Sequence, residues 1–154
     1  MISEAGLETI RDATIEDVGG VVKLIEPLEA DGTLVRRGRE KLEAEITQFS
    51  VIEHDGVIAG CAALYPFQKE SSAEMACFVV APNYRGRNYG EQLLARMEAK
   101  ARQMRIKRLF VLTTRTAHWF IEHGFVQSSL DDLPEAKQAL YNFQRQSKIF
   151  VKKL

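Results

Sequence analysis

Phe78-Val79-Val80-Ala81-Pro82-Asn83-Tyr84-Arg85-Gly86-Arg87-Asn88-Tyr89-Gly90-Glu91-Gln92-Leu93-Leu94 changes character twice along its length. Ala76 to Ala81 is a continuous apolar run with β-branched members, bounded by Pro82. That predicts a strand covered on both faces. From Gly90 onward Leu93, Leu94, Met97 and Ala101 recur every three to four residues, the period of an amphipathic helix. Between strand and helix lies a basic loop containing Arg85, Gly86, Arg87, Asn88, Tyr89 and Gly90.

Such a loop leaves the first backbone N–H groups of the helix without intrahelical partners, and the helix dipole adds partial positive charge there. The spot suits a phosphate or pyrophosphate. Gly86 and Gly90 let the backbone approach an anion without an intervening Cβ. The loop is not Gly-x-Gly-x-x-Gly and lacks Gly-Lys-Ser/Thr, which disfavours dinucleotide and nucleoside-triphosphate folds. It resembles the acetyl-CoA pyrophosphate loop of the GNAT acetyltransferases. Asn88 stands where that family usually has its first motif glycine, and Asn tolerates the left-handed conformation better than most residues. Read without the resemblance, the same residues also fit an ordinary strand–loop–helix connection with solvated arginines.

The chain has 154 residues, 21 Lys plus Arg and 21 Asp plus Glu. It is long enough for one domain with a sizeable core, and no global field draws it to nucleic acid or an anionic membrane. No apolar run approaches the roughly 18 residues of a membrane span. The N-terminus lacks the regions of a secretory signal. Cys61 and Cys77 lie in apolar runs without a Cys-x-x-Cys partner, so no metal site or disulfide framework is expected and the cytoplasm is the default compartment.

In chain order, Leu7 to Ala13 reads as a strand, and Thr14 with Asp17 as a shortened capping box. Ile15, Val18, Val21, Val22, Ile25 and Leu28 give a helical stripe, with Pro27 and Asp31-Gly32 marking its end. Arg39 to Gln48 predicts a second helix with Leu42 and Ile46 inward. Asp55-Gly56 between two apolar runs predicts a hairpin of Phe49–Glu53 and Val57–Tyr65, closed by Pro66. Ala73 to Ala81 follows as a third strand after a polar turn at 70–72. A helix from Gly90 to about Met104 leads to a strand over 108–114. A short helix over 116–123 is capped by Gly124, and strands over 125–127 and 147–154 complete the chain.

This order is similar to that of the GNAT fold: an α/β (α+β) chain with a mixed central sheet, an antiparallel N-terminal meander and flanking helices. The resemblance covers nearly the whole sequence and implies a single acetyltransferase domain over residues 1–154. Several strings look like one branch of that family, the N-acetylglutamate synthases. They are Leu34-Val35-Arg36-Arg37-Gly38-Arg39-Glu40, Gly60-Cys61-Ala62-Ala63-Leu64, Glu74-Met75-Ala76-Cys77, Leu112-Thr113-Thr114-Arg115-Thr116, His118-Trp119-Phe120, Gly124-Phe125 and Leu133-Pro134 to Ser147-Lys148. Members usually carry a preceding amino-acid-kinase-like domain or a fused lyase, neither of which is in this sequence. The resemblance implies acetyl transfer from acetyl-CoA to the α-amine of L-glutamate, the first step of arginine synthesis, with no metal. Self-association or a separate or fused partner domain is compatible with it.

The reaction requires an ammonium to lose a proton, the amine to attack a thioester, and a thiolate to depart. Glu74, an acid inside an apolar strand, is the candidate base; a solvent-facing glutamate at the strand edge is the alternative. The resemblance implies a bulge that turns the amides of Cys77, Phe78 and Val80 toward the acetyl carbonyl and pantetheine arm, with Val79 on the same strand. Oxyanion stabilisation needs such N–H donors rather than particular side chains. Cys77 reads as a small core residue, not a nucleophile. Relatives place a hydroxyl at the position of Thr113 as proton donor, with an ordinary strand threonine as the alternative and Tyr141 as an outside candidate.

Two carboxylates on glutamate call for two cationic clamps, and arginine binds a carboxylate bidentately. The resemblance points to Arg37 and Arg145, with Val35 beside the first. Arg36, Arg39 and Arg115 are weaker candidates, and His54 and His123 are assigned to turns and surface. Two competing readings remain. One is a GNAT enzyme for another small amine or a peptide N-terminus; the other is a non-catalytic domain that binds CoA or an amino acid.

Overall fold

In the computed structural model, residues 8–113, 117–140 and 147–154 are described. Strand β1 (Glu8–Asp12) leads through a 3-10 turn at Ile15–Asp17 into helix α1 (Val18–Ala30), followed by α2 (Arg39–Glu45). Strands β2 (Phe49–His54), β3 (Val57–Phe67) and β4 (Ser72–Val80) come next, then α3 (Tyr89–Gln103) and β5 (Arg108–Thr113). Helix α4 (Ala117–Glu122), β6 (Val126–Ser128), α5 (Glu135–Leu140) and β7 (Lys148–Lys153) complete the order. The strands hydrogen-bond in the sequence β1-β2-β3-β4-β5-β7-β6. β1/β2 and β2/β3 are antiparallel, β4/β5 is parallel, and β7 pairs antiparallel with both β5 and β6. The expected mixed sheet with its antiparallel meander is therefore present.

The chain divides into two compact units. One takes the chain as far as Ala63 together with Cys77–Met97; the other takes Leu64–Ala76 and everything from Glu98.

The first unit is organised around the hairpin of β2 and β3. Asp55 and Gly56 both adopt positive φ, 52° and 78°, as a two-residue turn between right-twisted strands demands. The turn sets the register Val51↔Cys61 and Ile52↔Gly60. Val51, Ile52, Ala59, Cys61 and Ala63 are thereby buried, and each large apolar side chain so buried contributes roughly 1.5–3 kcal/mol. Gly60 sits at a close approach: a Cβ there would lie 3.1 Å from the Val79 carbonyl and 3.3 Å from Leu93 Cδ1, tight contacts that the neighbours would have to ease.

Helix α1 buries Val18, Val21 and Ile25, whereas Ile15 is 55% exposed. Ile15 stands in the 3-10 turn before α1, so its side chain falls off the α-helical stripe. Pro27 does not end the helix, which runs on to Ala30. Proline within the final turn still offers its carbonyl, which accepts from Asp31 N–H at 3.2 Å, and Gly32 (φ 83°) turns the chain away.

In the second unit Phe110 and Ile149 from β5 and β7 pack with Leu133, and Phe67, Leu112, Leu130 and Val151 close around them. Pro66 lies inside β3 rather than ending it. β2 pairs only as far as Phe49↔Ala63, so on that side Pro66 interrupts no ladder bond. Gly124, with φ 94°, terminates α4 as expected. The 3-10 turn at Leu130–Asp132 and helix α5 were not anticipated. Pro134 carries the local signal for α5, since its carbonyl accepts from the N–H groups of Lys137 and Gln138 at 2.9 Å and proline is at home at a helix start.

Candidate active site

In the first unit β4 is irregular where the family resemblance implied a bulge, although no residue type there favours one. Cys77 has φ 49°, a left-handed residue in the middle of a strand. A left-handed residue there interrupts the extended backbone, as one form of β-bulge does. Beyond it burial alternates: Cys77 and Val79 are buried, Phe78 and Val80 half-buried. The expected burial of both faces therefore fails here, and one face of Cys77–Val80 is left partly open. The Cys61 thiol donates to the Cys77 carbonyl at 3.2 Å, and burial pushes that thiol well above its usual range. It is a packing thiol, not a thiolate.

After β4 the chain makes a 3-10 turn over Pro82–Tyr84 and enters the basic loop. Gly86 has φ 84° and Asn88 φ 62°. Asn88 thus adopts the left-handed conformation for which its side chain is suited. Gln92 N–H donates to the Asn88 carbonyl at 3.0 Å, which makes Asn88 the residue that opens α3. By helix geometry the N–H groups of Tyr89 and Gly90 have no intrahelical acceptor. Arg85, Gly86, Arg87 and Asn88 are exposed.

The Tyr89 side chain turns inward and is 1% exposed. Its hydroxyl lies 2.9 Å from His54 Nδ1, and its ring stacks with Tyr84 at 6.2 Å. Arg87 lies over the Tyr84 ring at 5.5 Å. Burial raises the Tyr89 phenol above its ordinary pKa, and the neighbouring Glu8 carboxylate adds to this. His54 is accordingly not a surface residue of the hairpin turn. It ties the hairpin to the start of α3, a link with no short-range signal in the sequence.

Arg37 is half-buried. Its N–H donates to Glu29 Oε2 at 2.7 Å and its guanidinium to the Val35 carbonyl at 3.3 Å. A cavity of about 270 Å³ is lined by Arg36, Arg37 and Arg39 together with Glu26 and Glu29. Val35 itself is 46% exposed, so it meets Arg37 through its backbone.

In the second unit Glu74 is buried at 7% exposure and aligns with Phe110 of β5. This excludes the solvent-facing alternative. Its carboxylate is 2.8 Å from Lys137 Nζ on α5, a partner the sequence did not reveal. Thr113 is buried at the last position of β5, opposite Lys148. Arg145, Arg115 and Tyr141 lie outside the described residues. His123 Nδ1–H donates to the Trp119 carbonyl at 2.7 Å, and the imidazole stacks on the Trp119 ring. Among the described residues no group of His, Cys, Asp and Glu is arranged to hold a metal ion, and no helix is long and apolar enough to cross a membrane.

A seven-stranded mixed sheet, a left-handed residue in β4 and a glycine-containing basic loop opening α3 define the class, and the chain belongs to the acetyltransferase (GNAT) family, which it matches over residues 22–125. Over its whole length it is 60% identical to an amino-acid acetyltransferase of Ralstonia nicotianae, of which it covers 34%. It is 56% identical to that of Pseudomonas putida, covering 36%. It is also similar to N-acetylglutamate synthase from Neisseria gonorrhoeae, solved in complex with coenzyme A and N-acetyl-glutamate. That likeness has a TM-score of 0.92 at 44% identity, over 96% of this chain and 35% of the other. The chain spans about a third of the length of these relatives.

Proposed function

We propose that this chain transfers acetyl from acetyl-CoA to the α-amine of L-glutamate, the opening step of arginine biosynthesis. The observation that carries the reading is a buried carboxylate, Glu74, on the same strand as the left-handed Cys77. Glu74 precedes Cys77 by three residues of strand, a span of roughly 10 Å. The pyrophosphate is taken by the loop amides from Gly86 to Gly90, with Arg85 and Arg87 supplying charge. The pantetheine arm runs along the partly open face of Cys77–Val80.

Glu74 accepts the proton from the substrate ammonium, a transfer of the kind that contributes about 10²–10⁴ in rate. The freed amine attacks the thioester carbonyl. Negative charge on the carbonyl oxygen is met by backbone N–H donors of the Cys77–Val80 segment, a donor of this kind being worth about 3–4 kcal/mol. The carbon–sulfur bond then breaks and the CoA thiolate leaves, taking up the second proton lost by nitrogen, with the Thr113 hydroxyl as the candidate hydrogen-bond donor to sulfur. Arg37, held by Glu29 and Val35, binds one substrate carboxylate and Arg145 the other. Full-length relatives named amino-acid acetyltransferase, and a similar structure holding N-acetyl-glutamate, support this choice of acceptor. Two buried cysteines that form no disulfide, Cys61 and Cys77, favour a reducing compartment and hence the cytoplasm.

Thiol release from acetyl-CoA across a panel of amino acids tests the reading. Glutamate should stand well above every other acceptor. A signal with a different amine alone would keep the reaction and lose the substrate.

A further inference from the structure

Glu74 already has a primary ammonium on it. Lys137 Nζ lies 2.8 Å from Glu74 Oε1, with side-chain exposures of 21% and 10%. The distance falls in the roughly 2.6–3.2 Å window in which a base takes a proton. Lys137 carries the functional group of the reaction's acceptor, a primary amine, on a flexible four-carbon stem.

The same unit contains a control for ion pairing as such. Lys152 Nζ lies 2.6 Å from Glu98 Oε2 at closely matched exposure, 24% and 13%. Glu98 is a residue of α3 and is not the proposed base. The two lysines differ in which carboxylate they touch, not in how tightly or how deeply they are paired.

We propose that Lys137 is an internal acetyl acceptor, modified by this chain's own chemistry when no amino acid occupies the acceptor position. The proposal rests on Glu74 being the base. Glu74 takes one proton from the Lys137 ammonium, and the nitrogen lone pair attacks the thioester carbonyl of acetyl-CoA. A nitrogen–carbon bond forms and the carbon–sulfur bond breaks. The CoA thiolate takes the second proton lost by nitrogen, and the proton on Glu74 passes to solvent. The products are Nε-acetyl-Lys137 and free CoA, with no oxidant or further reactant. Acetylation removes the Lys137 charge and with it the ion pair to Glu74, so the event is limited to one turnover per chain.

The test is incubation of the chain with acetyl-CoA alone, followed by peptide mass spectrometry over time. Acetyl should accumulate on Lys137 faster than on Lys152 or on exposed Lys41, and L-glutamate in excess should slow it. Glu74→Gln should reduce Lys137 labelling at least about tenfold while the background on Lys41 is unchanged. Glutamate-dependent thiol release in a chain whose Lys137 is labelled no faster than Lys152 would overturn the proposal. Labelling that persists in Glu74→Gln and ignores glutamate would overturn it too, as uncatalysed acylation. Labelling of Lys137 that depends on Glu74, without glutamate turnover, would sustain it and remove glutamate as the acceptor. Neither labelling nor turnover would remove both readings.

Discussion

His54 Nδ1 and the Tyr89 hydroxyl stand 2.9 Å apart, joining the last residue of β2 to the first residue of α3. The bond holds the start of α3 against the hairpin, next in sequence to the loop residues proposed to take the pyrophosphate. Tyr89→Phe removes the hydroxyl and leaves the His54 nitrogen short of a partner at 13% side-chain exposure. The expected loss is about 1 kcal/mol of stability, with weaker acetyl-CoA binding by calorimetry. The pH dependence has a definite sign. Burial raises the folded Tyr89 pKa above its ordinary value, which in the unfolded chain is about 10. This contribution is complete below that pH and is lost as pH rises through the folded value. The stability gap between the natural chain and Tyr89→Phe should therefore narrow in alkaline denaturation.

Gly86 and Asn88 both adopt positive φ but make opposite predictions. At Gly86 (φ 84°) a Cβ would meet nothing within 4 Å, so Gly86→Ala costs only conformational energy, roughly 1–2 kcal/mol. The acetyl-CoA KM should rise while the glutamate KM stays put. Asn88 already adopts the conformation (φ 62°), and Asn88→Gly should leave the acetyl-CoA KM nearly unchanged. Steady-state kinetics on the two variants separate backbone shape from side-chain contact.

Local chemistry made much of this legible. Asp55-Gly56 fixed a hairpin, the Thr14–Asp17 capping box formed with Thr14 N–H on Asp17 Oδ2 at 2.7 Å, and the basic loop sat where strand gave way to helix. What escaped depends on residues distant in sequence or on tertiary override. At Cys77 the family resemblance implied a bulge but the residues do not, since Cys77 has no intrinsic preference for positive φ and only its surroundings impose the turn. Lys137 meets Glu74, and His54 meets Tyr89, across stretches that no periodicity connects. Helix α5 was missed because a short helix beside few apolar residues gives little stripe to read, although Pro134 marks its start.

Asp17 supplies an acid-side prediction. Its carboxylate accepts two bonds from Arg11, at 2.7 and 3.0 Å, and one from Thr14 N–H. The Arg11 guanidinium holds it below the usual carboxylate range, and burial opposes this only in part. Asp17→Ala should cost about 2–3 kcal/mol at neutral pH. Because the folded pKa is depressed, this stability is present above the unfolded value, about 3.9. It is lost as pH falls through the folded one. Thermal melts of the two chains should converge in acid and differ most near neutrality.

Glu74 and Arg37 belong to different compact units and, in the proposed reaction, to different steps, so their variants should fail differently. Glu74→Gln preserves shape and can still accept a bond from Lys137, but it cannot accept the ammonium proton. Its kcat should fall at least about tenfold, with the acetyl-CoA Kd unchanged. Arg37→Ala removes a guanidinium anchored on the Val35 carbonyl, the group proposed to grip a substrate carboxylate. It should raise the glutamate KM, cost about 2 kcal/mol or more in kcat/KM, and leave acetyl-CoA affinity alone. An interaction made equally in ground and transition states raises KM without lowering kcat, so the ratio of the two losses assigns each residue its step. Equal turnover by Glu74→Gln and the natural chain would remove Glu74 as the base, and a changed acetyl-CoA Kd in Arg37→Ala would reassign that arginine to the cofactor.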